Sequence, residues 1–332
     1  MSGAVELGPD VVCDGFLVDK TARVQTHVHS DHMSEFESSK GTQEIIASPE
    51  THAMLCTEHD ADLPYRRNFV AVESGRSIEV GDCRVWTLRS GHMLGAVQVG
   101  VELDDGTCIG YSGDFQWPLA APLEVEALII DATYGSPASV REYTQDDAEA
   151  ELVSLIARLL PAGPVSILAH RGTLQRALQL INGEVQCDVV GSERLIKEVG
   201  VYRQYGYPIG PVMSVTSPEG KQVMESGRYI RVYGSGDAKP VSGPGSSIRL
   251  SAYFTRPDAA VVEYSPSAFC VALSNHADFV GTLEYVQATG AKYVITDNTR
   301  GGKGVELALE IAKRLGVEAY PSSSEDRREW GK

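Results

Sequence analysis

Three imidazoles and a carboxylate stand within the six residues His27-Val28-His29-Ser30-Asp31-His32. Ring nitrogens and carboxylate oxygens of this kind are ligands for zinc or a similar borderline divalent ion. The bland alternative is an incidental surface cluster, but a random window of this length very rarely holds such a set. The stretch follows the predicted strand Ala22–Thr26, so the ligands stand at a strand end, where a rigid sheet can aim them into one open pocket. A tight turn reverses side-chain direction within a few residues. His27 and His29 can therefore face one ion while Asp31 and His32 face another. One loop cannot complete two coordination spheres. Ser90-Gly91-His92 and Ser112-Gly113-Asp114 supply the missing ligands: each follows a predicted strand (Arg84–Leu88 and Thr107–Tyr111), and the glycine before each ligand permits close backbone approach. Asp114 is placed to bridge two ions at the short separation used in two-metal hydrolysis.

Further candidates stand outside these loops. Ser274-Asn275-His276-Ala277-Asp278 follows the apolar strand Phe269–Leu273 and puts another histidine at a strand end. Histidine titrates near working pH, which suits His276 to stabilising or protonating a leaving oxygen. Asp31 and Asp131 are candidates for orienting the nucleophile or a ligand histidine. His170 and Arg171 precede a predicted helix, a place that favours anions; with Ser274 and Arg256 they are the candidate phosphate contacts. For these the alternative is ordinary: a packed or exposed histidine, and surface arginines. His52 and His59 lie in a polar, helical stretch and read as structural or exposed.

The elements that must position these groups are legible in outline. Short β-rich runs broken by turns occupy Val11 to Asp131: Ala22–Thr26, Glu44–Ala47, Phe69–Val72, Arg84–Leu88, Ala96–Leu103, Thr107–Tyr111 and Ala127–Ile130. Asp104-Asp105-Gly106 reads as a hairpin turn. Ala148, Leu152, Leu155 and Leu159 then recur on one helical face, and Pro161 ends that helix. Strands Val165–Ala169 and Val185–Val190 alternate with helices Thr173–Ile181 and Ser192–Val199, an α/β rhythm. Gly206 to Gly245 is rich in Gly, Pro and Ser and reads as long loops. The rhythm resumes with Ala268–Leu273, a helix over Phe279–Thr289, Lys292–Thr296 and a helix over Val305–Leu315, before a polar tail from Ser322.

With 332 residues, 42% of them hydrophobic and 22% charged, the chain has ample material for a core, and wholesale disorder is excluded. It shows no run of eighteen apolar residues and no basic-then-apolar leader, so the expectation is a cytoplasmic protein that uses no membrane. Its 6 cysteines are scattered without a Cys-x-x-Cys pair, which argues against a cysteine zinc site or a disulfide scaffold. The net charge of -16 is unusual for a polyanion binder. Three readings remain open: no nucleic-acid partner, a local basic groove on an acidic body, or a high-salt cytoplasm.

On these residues the chain resembles the metallo-β-lactamase-fold hydrolases. His27 to His32 matches the family's H-x-H-x-D-H hallmark, Asp19 looks like its preceding structural aspartate, and His92 and Asp114 look like its later ligand motifs. The resemblance implies an αββα sandwich over 1–131 and 268–332. Residues 132–267 resemble the inserted α/β domain of the β-CASP branch, whose members cleave DNA or RNA. Asp131-Ala132-Thr133-Tyr134-Gly135 looks like that branch's acidic motif, His276 like its characteristic histidine, and Tyr293 to Gly301 stands in the place of its last motif. RNA-processing members usually carry a ligand histidine there; this chain reads Ile295-Thr296-Asp297-Asn298, leaving Asp297 as a candidate oxygen ligand.

The resemblance thus implies a dinuclear metal-dependent nuclease, with two divalent ions of zinc or manganese. Hydroxide generated on the metals would attack phosphorus, and His276 would assist the leaving sugar oxygen. The departure at the last motif favours the DNA-repair or ligase-associated exonuclease side of the branch, a 5′ exonuclease on single-stranded ends of DNA or RNA. The alternatives are an RNA 3′-end processing enzyme, a small-molecule metallohydrolase acting on a thioester, lactone or small phosphodiester, and a non-catalytic nucleic-acid-binding scaffold subunit.

Overall fold

The structure, a computed structural model, describes residues 3–58, 63–234, 236–237, 245–254 and 256–322. The expectations for His59 and for the tail beyond Ser322 lie outside the described residues. The chain is mixed α/β, with several sheets and eight α-helices among the described residues. Met1–Val140 with His276–Lys332 form one compact unit and Arg141–Asn275 another.

The first unit is built on two sheets. One holds Val5–Leu7, Val11–Cys13, Ala22–Val24, Glu44–Ala47 and Phe69–Ala71 in that order, parallel after the first pair. The other runs Glu318–Pro321, Tyr293–Asp297, Ala127–Asp131, Cys108–Tyr111, Val97–Glu102, Cys83–Arg89 and Ser77–Val80. Its first four strands are parallel and the rest antiparallel. The patterns explain the packing. Cys83–Arg89 alternates buried and open positions, whereas Val97–Glu102 is buried on both faces. Val11, Cys13, Ala22, Val24 and Ile46 of the first sheet meet Val85, Val97, Val99, Val101 and Tyr111 of the second in a shared core. Each such aliphatic side chain contributes about 1.5–3 kcal/mol by leaving water. Helices Phe279–Thr289 and Gly304–Leu315 cover the second sheet's other face through Phe279, Tyr285, Leu307 and Ile311, packed on Leu128, Ile130 and Val294. Asp278 caps the first of them by accepting from Gly281 N at 2.9 Å, and Gly290 ends it in the left-handed region.

This layering positions the chemistry. The parallel strands Val11–Cys13 and Ala22–Val24 end at residue 14 and the 25–32 segment. Cys108–Tyr111 and Ala127–Asp131, parallel in the second sheet, end at 112–114 and at Asp131 itself. Cys83–Arg89 runs the same way two strands over, and delivers His92 to the same edge.

The second unit is a seven-stranded sheet in the order Met213–Ser214, Val189–Gly191, Ile230–Tyr233, Val165–Leu168, Ser246–Leu250, Ala268–Val271 and Val261–Ser265, with only the last pair antiparallel. Two expectations are corrected here. The segment read as long loops contains Met213–Ser214, the helix Pro218–Glu225 and Ile230–Tyr233. Ser217 caps that helix through Gly220 N at 3.0 Å with Pro218 at its first position, a start signal hidden by the surrounding Gly and Pro. The strand Ala268–Val271, read as the first element of the returning segment, pairs with Ser246–Leu250 and so extends this sheet.

Candidate metal centre

The buried segment after Ala22–Val24 is held by groups that sequence reasoning missed. Arg23 is fully buried: Nε donates to Gln25 Oε1 at 2.9 Å, Nη1 to Ser34 O at 2.8 Å and Ser39 Oγ at 3.2 Å, and Nη2 to His32 O at 2.9 Å. Burial lowers its pKa to about 10, so it remains a cation at neutral pH. Gln25 Nε2 donates to His27 O at 2.6 Å and His32 O at 3.0 Å. The fold shows Arg23 anchoring the turn that carries His32.

The buried structural carboxylate is Asp14, not Asp19. Asp14 accepts from Thr26 N at 2.8 Å and Thr26 Oγ1 at 2.7 Å, and its Oδ2 lies 2.7 Å from His32 Nδ1. Asp19 has a side chain 72% exposed beside Lys20. The available signal was the same as for the other ligand loops: Val11-Val12-Cys13 is a short apolar run, and Asp14 follows it. Three residues were too few to show a period.

His27, His29, His92 and Asp114 each offer one donor atom, all within 4.8 Å of one another. His29 Nδ1 lies 3.1 Å from both His27 Nε2 and His92 Nε2, while Asp114 Oδ2 lies 3.5 Å from each of the latter two. Gly91 and Gly113 both adopt positive φ, 73° and 53°; a Cβ on Gly113 would sit 2.8 Å from Val97 O, so the residue before Asp114 must be glycine-like. Burial, then neighbouring His32, hold the His27 pKa well below the usual value, which keeps its imidazole neutral and able to ligate.

A second group of donors comprises Asp114, Asp131 and His276. His276 Nδ1 lies 3.0 Å from Asp131 Oδ2, and its Nε2 lies 3.7 Å from Asp114 Oδ2. Burial opposes a charged His276, but Asp114 and the hydrogen-bonded Asp131 outweigh it and raise its pKa. His32 is arranged alike, with Nδ1 on Asp14 and Nε2 3.2 Å from Asp114 Oδ1. Asp114 is the group that this buried Nε2 faces, without a well-formed hydrogen bond. The two groups, His27, His29, His92 and Asp114 and then Asp114, Asp131 and His276, can hold a metal ion, and His32 meets them at Asp114.

Three expected ligands stand outside the two donor groups: His32, described above, and two more. Asp31 has a side chain 54% exposed, with Oδ2 3.8 Å from His32 Nε2, and belongs to neither tight group. Asp297, in register with Asp131 on the neighbouring strand, has its carboxylate engaged by Arg300 and by Thr299 Oγ1 at 2.6 Å. It forms a tether instead of a donor group: the same guanidinium also binds Asp31 O and Gly3 O. The remaining candidates lie in the second unit. His170 is exposed, Arg171 pairs with Glu198 at 3.1 Å, Arg256 is exposed on a bridge to Ala259, and Ser274 is buried after Ala268–Val271.

The site's electrostatics carry a pH consequence. Burial works against a charged His32, but Asp114 and Asp14 prevail and push its pKa up to about 10. A histidine raised on folding stabilises fully below its unfolded value of about 6.5. That stabilisation is lost as pH climbs through about 10. Chelator-treated protein is expected to lose thermal stability over that rise, and His32→Gln to flatten the slope. Parallel Tm–pH curves for the two proteins would remove His32 as the cause.

No family model matches the chain. It is 25% identical over 328 aligned positions, 92% of its own length, to an Opitutus terrae protein named "Probable DNA ligase", of which it spans only 29%. A crystal structure of a protein of unknown function from Enterococcus faecalis V583 superposes with a TM-score of 0.61 at 14% identity, covering 86% of this chain and 76% of that one, and so shares its fold. The chain is also 32% identical over 114 residues, 34% of its length, to an Acidianus ambivalens protein, of which it covers 81%. On that match, the chain belongs to the family of the Acidianus ambivalens protein described as an uncharacterised protein in the lig 3′ region.

Proposed function

We propose that the chain is a metal-dependent nuclease of the metallo-β-lactamase fold, β-CASP branch, hydrolysing phosphodiester bonds as a 5′ exonuclease on single-stranded ends, with Arg141–Asn275 as the inserted domain. The observation that carries this reading is Asp114 at the meeting point of two donor groups, with the Asp131–His276 pair in one of them. The donor distances of 3.1–3.5 Å around His29 and Asp114 support zinc. Zinc–ligand bonds of about 2.0–2.1 Å give tetrahedral edges of about 3.3–3.4 Å.

His27, His29, His92 and Asp114 would hold one ion; Asp114 and His32, with Asp31, would hold a second. Bound there, divalent ions of zinc or manganese would lower the pKa of a water and neutralise charge on the phosphoryl group. The protein's own groups do the rest. Asp14 and Asp131 fix the rings of His32 and His276 through their Nδ1 atoms. His276 keeps its proton to higher pH than an ordinary histidine. As the water oxygen, its proton released to solvent, bonds to phosphorus and the phosphorus–sugar oxygen bond breaks, His276 Nε2 would give its proton to the departing oxygen.

Nucleic acid as substrate is supported by the relative named as a DNA ligase, aligned over 92% of this chain. The net charge of -16 favours a second reading, a small-molecule metallohydrolase. Purified protein with Zn²⁺ or Mn²⁺ is expected to shorten end-labelled single-stranded DNA from its 5′ end, and RNA and 5′-hydroxyl strands set the preference. Intact metal content with no cleavage of any polymer would sink the nuclease reading; turnover of a small phosphodiester or thioester in its place would establish the other.

A further inference from the structure

Two neighbouring strands of the first unit end in the same small device. Ala127–Asp131 and Tyr293–Asp297 run parallel, with Asp131 and Asp297 in register at the carboxyl edge. A threonine stands two residues after each aspartate. Asp131 Oδ1 accepts from Thr133 N at 2.8 Å and from Thr133 Oγ1 at 2.7 Å. Asp297 Oδ1 accepts from Thr299 N at 2.9 Å and from Thr299 Oγ1 at 2.6 Å. A carboxylate bound to the backbone two residues on is fixed through one oxygen and presents the other in a set direction. At Asp131 that second oxygen lies 3.0 Å from His276 Nδ1. At Asp297 it meets Arg300 Nη1. One device orients the ring of His276, and its copy on the next strand orients a guanidinium.

What the guanidinium holds is the ligand turn. Arg300 Nε donates to Asp31 O at 3.2 Å, and Nη2 donates to Gly3 O. The side chains of Arg300 and Asp297 are 9% and 5% exposed, so the clamp is built into the interior. All three of its nitrogens are engaged, and a planar fork so bound confines its partners more than a single bond would. Two arginines therefore grip the 30–34 segment by its carbonyls, Arg23 at His32 and Ser34 and Arg300 at Asp31. Their consequences differ. The His32 ring has its own anchor in Asp14, 2.7 Å from Nδ1. The Asp31 side chain is 54% exposed, with Oδ2 3.8 Å from His32 Nε2, so the backbone at residue 31 governs where that carboxylate stands. The group His27, His29, His92 and Asp114 does not include Asp31 and does not depend on this grip. Arg300 and Asp297 form a neutral pair, which adds no net charge beside the ligands.

We propose that Arg300, oriented by Asp297, is a positioning residue that sets Asp31 in the ligand turn and thereby the affinity for the second ion. This role rests on the two-ion centre proposed above, and metal binding, not cleavage, reports it. A chain that binds two ions and cuts no polymer would remove the nuclease reading and leave the role of Arg300 standing. The test is a calorimetric titration of the full chain, freed of metal, with Zn²⁺. The unaltered chain is expected to bind in two steps. Asp297→Asn with Arg300→Met removes both charges together, so that no bare buried carboxylate is left to gather metal instead. This double variant should weaken the second step by about 10–100-fold, the range for groups that orient ligands, and the first by less than about threefold. Arg300→Lys keeps the ion pair but offers a single nitrogen, so its second step should fall between the two. It also carries the test should the double variant fail to fold. An unchanged second step, an equal loss in both steps, or a single step in the unaltered chain would overturn the proposal.

Discussion

Asp114→Asn is expected to strip the centre of metal and reduce phosphodiesterase activity by at least about a hundredfold, since even partners of ligands cost 10–100-fold. Asp114 belongs to both donor groups, with Oδ2 3.5 Å from His27 and His92 and Oδ1 3.2 Å from His32. It is also the anion that the surrounding imidazoles need. Burial alone would favour its neutral acid, yet His32, His276 and His92 hold its pKa well below the usual carboxylate range. An amide keeps the shape but carries no charge, and its nitrogen is not a ligand for these ions. Metal content by elemental analysis and turnover on a labelled strand are the two measurements. A variant that retains full metal content and full activity would show that Asp114 is not the shared ligand.

His276→Ala is expected to lower kcat by about 10²–10⁴, the range for loss of a positioned acid, while the metal content of the His27, His29, His92 and Asp114 group is unchanged. The reason lies in the ring's two contacts. Asp131 at 3.0 Å holds Nδ1, and Nε2 faces Asp114. If His276 protonates the departing oxygen, a substrate whose leaving group needs no proton, such as a p-nitrophenyl phosphodiester, should lose far less activity than a nucleic acid strand. Asp131→Asn should show the same pattern on a smaller scale, about 10–100-fold. Equal losses on both substrates, or departure of one metal ion with the side chain, would instead make His276 a ligand.

Much of the centre could be read before any coordinates. His27, His29, His92 and Asp114 come together as their strand-end positions suggested. Each stands shortly after a predicted strand, and a strand end dictates where the next few side chains go. The helix Phe279–Thr289 forms with the bounds expected from the sequence, capped by Asp278 and ended by Gly290. Elsewhere the local signal was too thin. The helix Glu193–Gln204 runs through the exposed Gly200, at a cost of about 1 kcal/mol against alanine, because Val199, Val201 and Tyr202 beside it are buried.

What the sequence by itself determined is the ligand chemistry and the strand ends that present it, because both are properties of a few contiguous residues. The tertiary structure alone decided the supports. Asp14 rather than Asp19 meets His32, Arg23 is buried under the ligand turn, and Asp297 is taken by Arg300. Each of these rests on which distant segments share a sheet edge, and a charged side chain in a linear sequence carries no mark of the partner that will desolvate and neutralise it.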